Sequence, residues 1–515
     1  MPDFYSKRPS RRVAAAVLIA PLLVLVSSLF GLAQDLADFE KRITVEVLDN
    51  GWTFIILERP VAPVFSFSTV VDVGSTQEVP GITGLAHMFE HMAFKGTPNI
   101  GTSNYQAEKK ALEELEAAYQ SYQTERMKSH SDPEKVKELE ARYREKQEDA
   151  ARFVVTDEFG DIISREGGVG LNAGTNTDST VYFYSLPSNK TELFCYLESE
   201  RFAFPVFREF YKERDVVQEE RRLRTESQPI GRLIEQLQMS AFTSHPYHQP
   251  VVGYMSDLQS FTITDAKEFY RSYYVPANIV TAVVGDVDPS RLIPLLKKYF
   301  GRMEVGRKPP PLRTIEPPQI VERMITLKDP SQPVYAEGYH KPGATDADQP
   351  VYDVIDDILS TGRTSRLYRA MVRDKKIAVN VGSFSPFPGG KYPNLWLAFA
   401  IPTRGESNET VADALHEEIN RLKNEAVTDE ELKKAKTRAR ANLVRSLGSN
   451  QGLANQLASY QTRFGDWREL FRYIERLEKV TREDVRRVAN ETFKASNRTV
   501  ARIVTEKPGS KTASK

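Results

Sequence analysis

The chain has 515 residues, of which 40% are hydrophobic and 27% charged, and its 70 Lys and Arg residues balance 70 Asp and Glu residues. A formal net charge of zero gives no electrostatic footprint for nucleic acid, and the length exceeds what one hydrophobic core normally supports. The single cysteine, Cys195, excludes an intrachain disulfide framework and lies in an apolar run typical of a buried thiol. We therefore expect two or three domains and no nucleic-acid partner.

The N-terminus has the pattern of an export signal. Basic residues at positions 7–12 precede an apolar run over residues 13–32, and Gly31-Leu32-Ala33 is a small-x-small cleavage pattern. This pattern predicts a signal peptide at residues 1–33 and an exported protein, which would be periplasmic if the source is a Gram-negative bacterium. The run is nearly long enough to cross a bilayer, so an uncleaved membrane anchor is the alternative, with membrane association only through this segment.

The first folded elements are predicted to be strands. Residues 43–56 alternate in polarity around Asp49-Asn50-Gly51, which predicts a β-hairpin, and residues 64–73 predict another strand. A helix carrying the chain's main motif should follow the Pro80-Gly81 pair. A strand, a loop and then this helix suit an α+β domain with helices on one face of a sheet.

The motif is GLAHMFEHMAFKGT, residues 84–97. On a helix, His87, Glu90 and His91 share one face, because residues three and four apart are neighbours there. Two imidazoles one turn apart can bind one Zn²⁺, and the carboxylate is placed to handle a water on the metal. A pair of exposed helical histidines is the alternative, but the flanking apolar residues would bury this helix, and buried imidazoles need partners.

Residues 104–155 have a different character. Apolar residues repeat there at 3–4 spacing in two charged segments, and Ser131-Asp132-Pro133 between them is a helix-start signature. The pattern predicts an inserted coiled-coil helical hairpin that projects from the body of the domain. A structural spacer or a docking arm is expected rather than a catalytic element.

The remainder of the chain contains an internal echo. A helix-then-strand unit running from Leu258 through Thr262 and Asp265 to Asn278 has a counterpart 219 positions later, from Leu477 onwards. The echo indicates a duplicated domain, and only the first copy carries the histidine motif. Prolines concentrated between residues 308 and 318 mark a stiff linker between the copies.

A catalytic zinc site normally takes a third protein ligand and leaves one position open. Glu213 and Glu220 are separated by nearly two helical turns, so both carboxylates would share one helix face, whereas Glu219 would point about 100° away. Two ordinary surface glutamates are the alternative. The Ser-His-Pro-Tyr-His loop with His245 and His248 is a weaker candidate for metal binding.

Several sequence motifs of this chain resemble those of a known family. The H-x-x-E-H motif is that of the inverzincins, and together with LNAGT (171–175), ERDVVQEE (213–220) and GDV (285–287) it closely resembles the pitrilysin/insulinase family of metallopeptidases. That family includes the mitochondrial processing peptidase and its bacterial relatives. The resemblance runs through residues 40–507 and is most specific in the first half. It implies a fold of two similar α+β domains, which agrees with the internal echo.

Carried over by position, the resemblance implies one Zn²⁺ per chain bound by His87, His91 and Glu220. Glu90 would be the general base, and Glu213 a supporting catalytic residue that orients a ligand. Asn172 and Ala173 match a strand edge that binds substrate backbone, and Arg373 matches a residue that contacts the reacting peptide.

One position departs from the family pattern. Seven residues after Arg373, where the family has a Tyr, this chain has Asn380. The resemblance therefore implies a heterodimer whose homologous partner chain supplies the Arg/Tyr pair, with a homodimer as the alternative.

The expected activity is zinc-dependent endopeptidase hydrolysis of peptides or unfolded segments in a dimeric clamshell chamber. The rival hypothesis is a non-catalytic or weakly active family member that serves as a binding or assembly subunit through its coiled-coil arm.

The expected architecture is α+β, with two homologous domains that each have an antiparallel-rich sheet covered by helices. The expected boundaries are a zinc-bearing peptidase domain at residues 39–305, a Pro-rich linker at 306–320, a second domain without the zinc motif at 321–507 and a tail at 508–515.

Overall fold

The computed structural model describes residues 39–506, so the predicted signal peptide and C-terminal tail lie outside the described residues. Within that range the chain folds into two β-sheets covered by helices, as the sequence predicts. No helix between residues 39 and 506 combines the length and apolar content that a bilayer crossing requires.

The first sheet has six strands, of which only two neighbours run parallel. Gly51, with φ of 95°, lies in the tight turn between the first two strands, where the sequence predicts a hairpin. The strands are β1 (Ile43–Val47), β2 (Thr53–Glu58), β3 (Val64–Val71), β4 (Val169–Thr175), β5 (Thr180–Pro187) and β6 (Ile279–Gly285). Their order is β1-β2-β6-β3-β5-β4, antiparallel except for β2 beside β6, so β4 is an edge strand.

Ten helices lie between residues 85 and 300. They are α1 (Leu85–Met92), α2 (Tyr105–Arg126), α3 (Pro133–Ala151), α4 (Glu158–Arg165), α5 (Thr191–Ala203), α6 (Phe210–Arg221), α7 (Pro229–Ala241), α8 (Met255–Leu258), α9 (Ile263–Tyr273) and α10 (Pro289–Phe300). The motif helix α1 is almost fully buried and contacts α6 and β4.

The inserted hairpin, α2 and α3, lies along the body of the first half. Leu115, Tyr119 and Tyr143 are buried in the same apolar cluster as the motif helix. This packing corrects the expectation of a projecting arm, because the apolar stripes of both helices face the domain as well as each other. The N-cap predicted at Asp132 is present, since its carboxylate accepts from the backbone N–H of Glu134.

The second sheet has five strands: β7 (Arg323–Asp329), β8 (Val334–Lys341), β9 (Ala378–Phe387), β10 (Asn394–Pro402) and β11 (Arg498–Thr505). Their order is β7-β11-β8-β10-β9, again with one parallel pair, β7 beside β11. Its helices are α11 (Gln349–Ser360), α12 (Asn408–Asn424), α13 (Asp429–Ser446), α14 (Asn450–Phe464), α15 (Glu469–Lys479) and α16 (Arg482–Thr492). Residues 304–320 form no regular secondary structure.

The internal echo has a structural counterpart. Thr262 and Asp265 form a reciprocal capping box at the start of α9, and Thr481 and Asp484 form the same box at the start of α16. Each helix leads into the strand that pairs parallel with its neighbour, β6 in one sheet and β11 in the other. Apart from the additional edge strand β1 of the first sheet, the two sheets therefore share one topology.

The two halves exchange a helix. Leu453, Leu457 and their neighbours on α14 cover one face of the first sheet, at β3 and β6. In return, Leu233 and Leu237 on α7 cover a face of the second sheet, at β7 and β11. Each sheet is thus enclosed on one side by a helix from the other half.

Candidate metal centre

The start of α1 is fixed by a buried carboxylate. Glu78 is 3% exposed and accepts hydrogen bonds from the backbone N–H groups of Gly84 (2.8 Å) and Ala86 (2.7 Å). These two donors have no partner within the helix, so Glu78 serves as its cap. Gly84 has φ of 97°, and a Cβ there would lie 2.5 Å from the Val252 carbonyl oxygen. Only glycine allows this entry into the helix.

Three side chains converge between α1 and α6. His87 Nε2 lies 3.5 Å from Glu220 Oε1, and His91 Nε2 lies 3.7 Å from Glu220 Oε2. Their candidate ligand atoms all lie within 4.8 Å of one another. Donor atoms bound at about 2 Å to one tetrahedral ion are about 3.3 Å apart, so this cluster matches the size of a zinc site.

The donor set also matches zinc in its chemistry. His87 Nδ1 and Glu220 Oε1 are buried and have no hydrogen-bond partner among residues 39–506, although the Arg224 guanidinium lies 2.5 Å from Glu220 Oε1 as an ion pair. Burial, with the nearby His91 and Arg224, lowers the pKa of His87 to about 3, which keeps its imidazole neutral. A neutral imidazole is the form that binds a metal.

Glu213 orients the second histidine. Its Oε1 accepts a hydrogen bond from His91 Nδ1 at 2.8 Å, which leaves Nε2 of that ring facing Glu220. Burial opposes ionisation of Glu213, but hydrogen bonds from His91 and Lys95 hold its pKa at about 2. Burial likewise opposes protonation of His91, yet Glu213 and the other carboxylates nearby raise the His91 pKa above its usual value.

Glu90 lies on the same helix between the two histidines and is half-buried. No hydrogen bond or ion pair joins its carboxylate to another residue in the described range 39–506. The carboxylate is therefore available to a water or a substrate atom at this site.

Sequence reasoning missed two cations that contact the site. Lys95 Nζ lies 2.6 Å from Glu213 Oε2, and Arg224 contacts Glu220. Lys95 follows His91, and Arg224 follows Glu220, by four residues. The i,i+4 spacing of Glu220 and Arg224 was the available signal for one of these cations, whereas Lys95 lies beyond the end of α1 and reaches Glu213 on a different helix.

The remaining predicted site residues lie on two different elements. Asn172 and Ala173 lie on the edge strand β4, which contacts α1, so the structure brings this strand to the candidate site. Arg373 is exposed in a π-helical segment of the second half, Tyr368–Asp374, where it pairs with Asp374 at 2.6 Å. No hydrogen bond or ion pair in the described chain joins Arg373 to His87, His91 or Glu220.

The other polar candidates in the sequence have local partners. His245 Nδ1 accepts from the Tyr247 backbone N–H, and the His248 ring donates to the His245 carbonyl. Cys195 is fully buried, and burial raises the pKa of its thiol. Within residues 39–506 only His87, His91 and Glu220 form a group that could hold a metal ion.

Comparison with known families gives two matches. Residues 53–138 match the model described as insulinase (peptidase family M16), and residues 260–439 match the peptidase M16 inactive domain. The zinc protease PqqE of Helicobacter pylori is 28% identical over 446 residues, covering 85% of this chain and 86% of that protein. The uncharacterized zinc protease YmxG of Bacillus subtilis is 23% identical over 459 residues, covering 88% of this chain and 95% of that protein.

Solved structures agree with these matches. The crystal structure of a protease from Helicobacter pylori superposes with a TM-score of 0.74 at 26% identity, covering 90% of this chain and 99% of that chain. A peptidase M16 inactive domain structure from Pseudomonas fluorescens shares the fold, with a TM-score of 0.69 at 17% identity, covering 90% and 99% of the two chains. The resemblance noted in the sequence is thus confirmed: the chain belongs to peptidase family M16, the insulinase- and pitrilysin-like family.

Proposed function

We propose that this chain is a zinc-dependent endopeptidase that cleaves peptides or unfolded protein segments. The observation that carries the proposal is the convergence of His87, His91 and Glu220, with their ligand atoms within 4.8 Å, beside the unpaired Glu90 carboxylate. Family membership and relatives named zinc proteases support a peptidase function.

In this proposal, His87, His91 and Glu220 hold one Zn²⁺. The ion would polarise the carbonyl of the scissile bond and lower the pKa of a water molecule. The Glu90 carboxylate accepts the proton of the attacking water and then donates it to the leaving amine nitrogen. Glu213 keeps the His91 ring turned towards the metal through its bond to Nδ1.

The edge strand β4 is the proposed substrate platform. It pairs with β5 on one side only, and it contacts α1, which carries Glu90. An extended peptide could add to this edge through backbone hydrogen bonds at Asn172 and Ala173, a binding mode that tolerates varied side chains.

We further propose that the chain acts in a dimeric chamber after export. Asn380 stands where the family has a Tyr, and Arg373 pairs with Asp374 rather than with any of the three candidate ligands, so a homologous partner chain would complete the substrate contacts. A homodimer is the alternative. The structural neighbour PqqL of Escherichia coli is described as a periplasmic protease, which supports a periplasmic location for this chain as well.

Metal content and matched variants test the proposal. The purified chain should contain about one zinc ion, Glu90→Gln should keep the zinc but abolish peptide hydrolysis, and Glu220→Gln should lose the zinc. Glu219→Gln is the matched control, because Glu219 neighbours Glu220 but is 63% exposed and pairs with Arg222. It should keep both metal and activity.

Hydrolysis should be measured for the isolated chain and for the chain with whatever co-purifies from its native source. Activity that survives Glu90→Gln would refute the catalytic assignment. A chain that binds no zinc would instead favour the binding-subunit hypothesis. Full activity of the isolated monomer would refute the need for a partner.

A further inference from the structure

Helix α6 presents two opposed faces. Glu213 and Glu220 lie on the face that meets the histidines of α1. Tyr211 lies two residues before Glu213, about 160° away around the helix at 100° per residue, and Arg214 lies between these faces, about 60° from Tyr211 and 100° from Glu213. Both of these side chains are buried against the inserted hairpin.

The contacts on the second face involve side chains of α2 and α3. Tyr211 Oη donates to Glu116 Oε2 at 2.5 Å, and its ring centroid lies 4.0 Å from that of Tyr119 and 5.6 Å from that of Tyr143. Arg214 donates from Nη1 to the Tyr119 hydroxyl, and its guanidinium lies 4.8 Å from the centre of the Tyr119 ring. Arg214 is only 6% exposed.

The hairpin is itself fastened to the body of the domain. Tyr119 Oη donates to the Gln259 carbonyl at 3.2 Å, and Gln123 Nε2 donates to the same carbonyl at 2.8 Å. Glu116 accepts from the Thr264 hydroxyl at the start of α9. Because α2 is anchored at these points, α6 is held between a fixed hairpin and the motif helix.

We propose that the inserted hairpin is a positioning element for Glu220, acting through the contact of Tyr119 with Arg214 on the back of α6. The inference rests on the proposed zinc site and deepens it. Metal ligands must be held to within about 0.5 Å, and side chains hydrogen-bonded directly to a ligand typically change metal affinity 10–100-fold when they are replaced. Tyr119 acts less directly, through the backbone of α6. An insertion that fixes the rotation of α6 would therefore tune zinc affinity without touching the ion.

The test compares two tyrosines of the hairpin in the full chain. Tyr119→Phe removes the hydroxyl that accepts from Arg214, whereas Tyr122→Phe is the matched control, because the Tyr122 hydroxyl makes no hydrogen bond within residues 39–506. Competition with a chromogenic chelator measures the zinc dissociation constant. We expect about a tenfold or larger increase for Tyr119→Phe and less than threefold for Tyr122→Phe.

Hydrogen–deuterium exchange on the metal-free protein gives a readout that needs no zinc. Tyr119→Phe should accelerate exchange of the backbone amides of α6 while leaving the first sheet unchanged. If the wild type binds no zinc, the proposed function fails, but the exchange data still decide whether the hairpin holds α6.

Three outcomes would overturn the inference: zinc affinity of Tyr119→Phe within threefold of wild type, unchanged exchange in α6, or exchange raised uniformly through residues 39–305. The last would show general destabilisation. If Tyr119→Phe does not fold, the milder Glu116→Gln replaces it, since it weakens the contacts that join α2 to Tyr211 on α6 and to Thr264 on α9 but keeps the Tyr119 hydroxyl. That variant should raise the dissociation constant about three- to tenfold, and no change would count against the hairpin's role.

Discussion

Arg208 joins the loop after the motif helix to the inserted hairpin, and its partner Glu108 offers a sharp test of that junction. The two side chains are 1% and 0% exposed and form a bidentate pair, with Nε to Oε1 at 2.5 Å and Nη2 to Oε2 at 2.7 Å. The remaining guanidinium donors bind backbone carbonyls of that loop, at Lys95, Thr97 and Ile100.

Glu108→Gln keeps the size of the side chain but leaves a buried guanidinium without its counter-charge. Removal of one partner from a buried ion pair typically costs about 3–5 kcal/mol, because the other charge stays desolvated. For one cooperative unit that spans residues 39–506, each kcal/mol lowers the melting temperature by about 1 °C, so a decrease of roughly 3–5 °C is expected.

Glu114→Gln is the matched control on the same helix. Glu114 pairs with Lys146 at 2.9 Å, but its side chain is 43% exposed, and exposed ion pairs contribute little because water and salt screen them. Scanning calorimetry of both variants and the wild type gives the comparison. Equal melting temperatures for Glu108→Gln and Glu114→Gln would refute the argument that burial determines the effect.

Three further substitutions test other parts of the structure. Glu78→Ala removes the acceptor of two buried N–H groups at the start of α1, so urea unfolding should show a loss of roughly 2–6 kcal/mol, at about 1–3 kcal/mol for each group. Asp178→Ala removes the acceptor for the Tyr247 hydroxyl and two backbone N–H groups of the loop between β9 and β10, and limited proteolysis should cleave that loop faster. The hydrogen bond from Arg366 holds the pKa of Glu431 at about 2, so its stabilisation is present above about pH 4.5 and is lost as the pH falls towards 2. The gap in melting temperature between wild type and Glu431→Gln should narrow over that window.

Each of these expectations has a contrary result. A loss below 1 kcal/mol in Glu78→Ala would show that water replaces the carboxylate at the cap. Unchanged cleavage in Asp178→Ala would mean that the loop is held by its other contacts. If the difference in melting temperature between wild type and Glu431→Gln grew as the pH fell, ionised Glu431 would not be the stabilising form.

Local patterns predicted the elements that carry the site. Asn50-Gly51 predicted the first hairpin because a tight turn needs residues that tolerate positive φ, and the structure has Gly51 there. The helical phase of His87 and His91 predicted their shared face, and the structure brings both rings to Glu220. The family assignment and the two-sheet architecture are confirmed, whereas the catalytic and substrate-binding roles stay predictions.

Non-local contacts could not be predicted in this way. The capping of α1 by Glu78 depends on a turn that brings residue 78 back to the start of the helix. The spacing of polar and apolar residues in the sequence does not predict the course of this turn. The hairpin showed an apolar stripe in sequence, but a stripe does not identify the surface that covers it. Only the packing of Tyr119 on Tyr211 and Gln259 shows that the stripe belongs to the body of the domain.

The exchange of α7 and α14 between the two halves has a consequence for how the protein can be divided. A fragment that ends in the linker would lack α14 and would expose the apolar face at Val70, Ala282 and Val284 to water. Separately produced halves should therefore aggregate or stay insoluble. Co-expressed halves should associate by fragment complementation, because each half contains the helix that covers the apolar sheet face of the other. The sequence contains two repeats, but because each sheet is covered by a helix of the other half, we expect residues 39–506 to unfold as one cooperative unit.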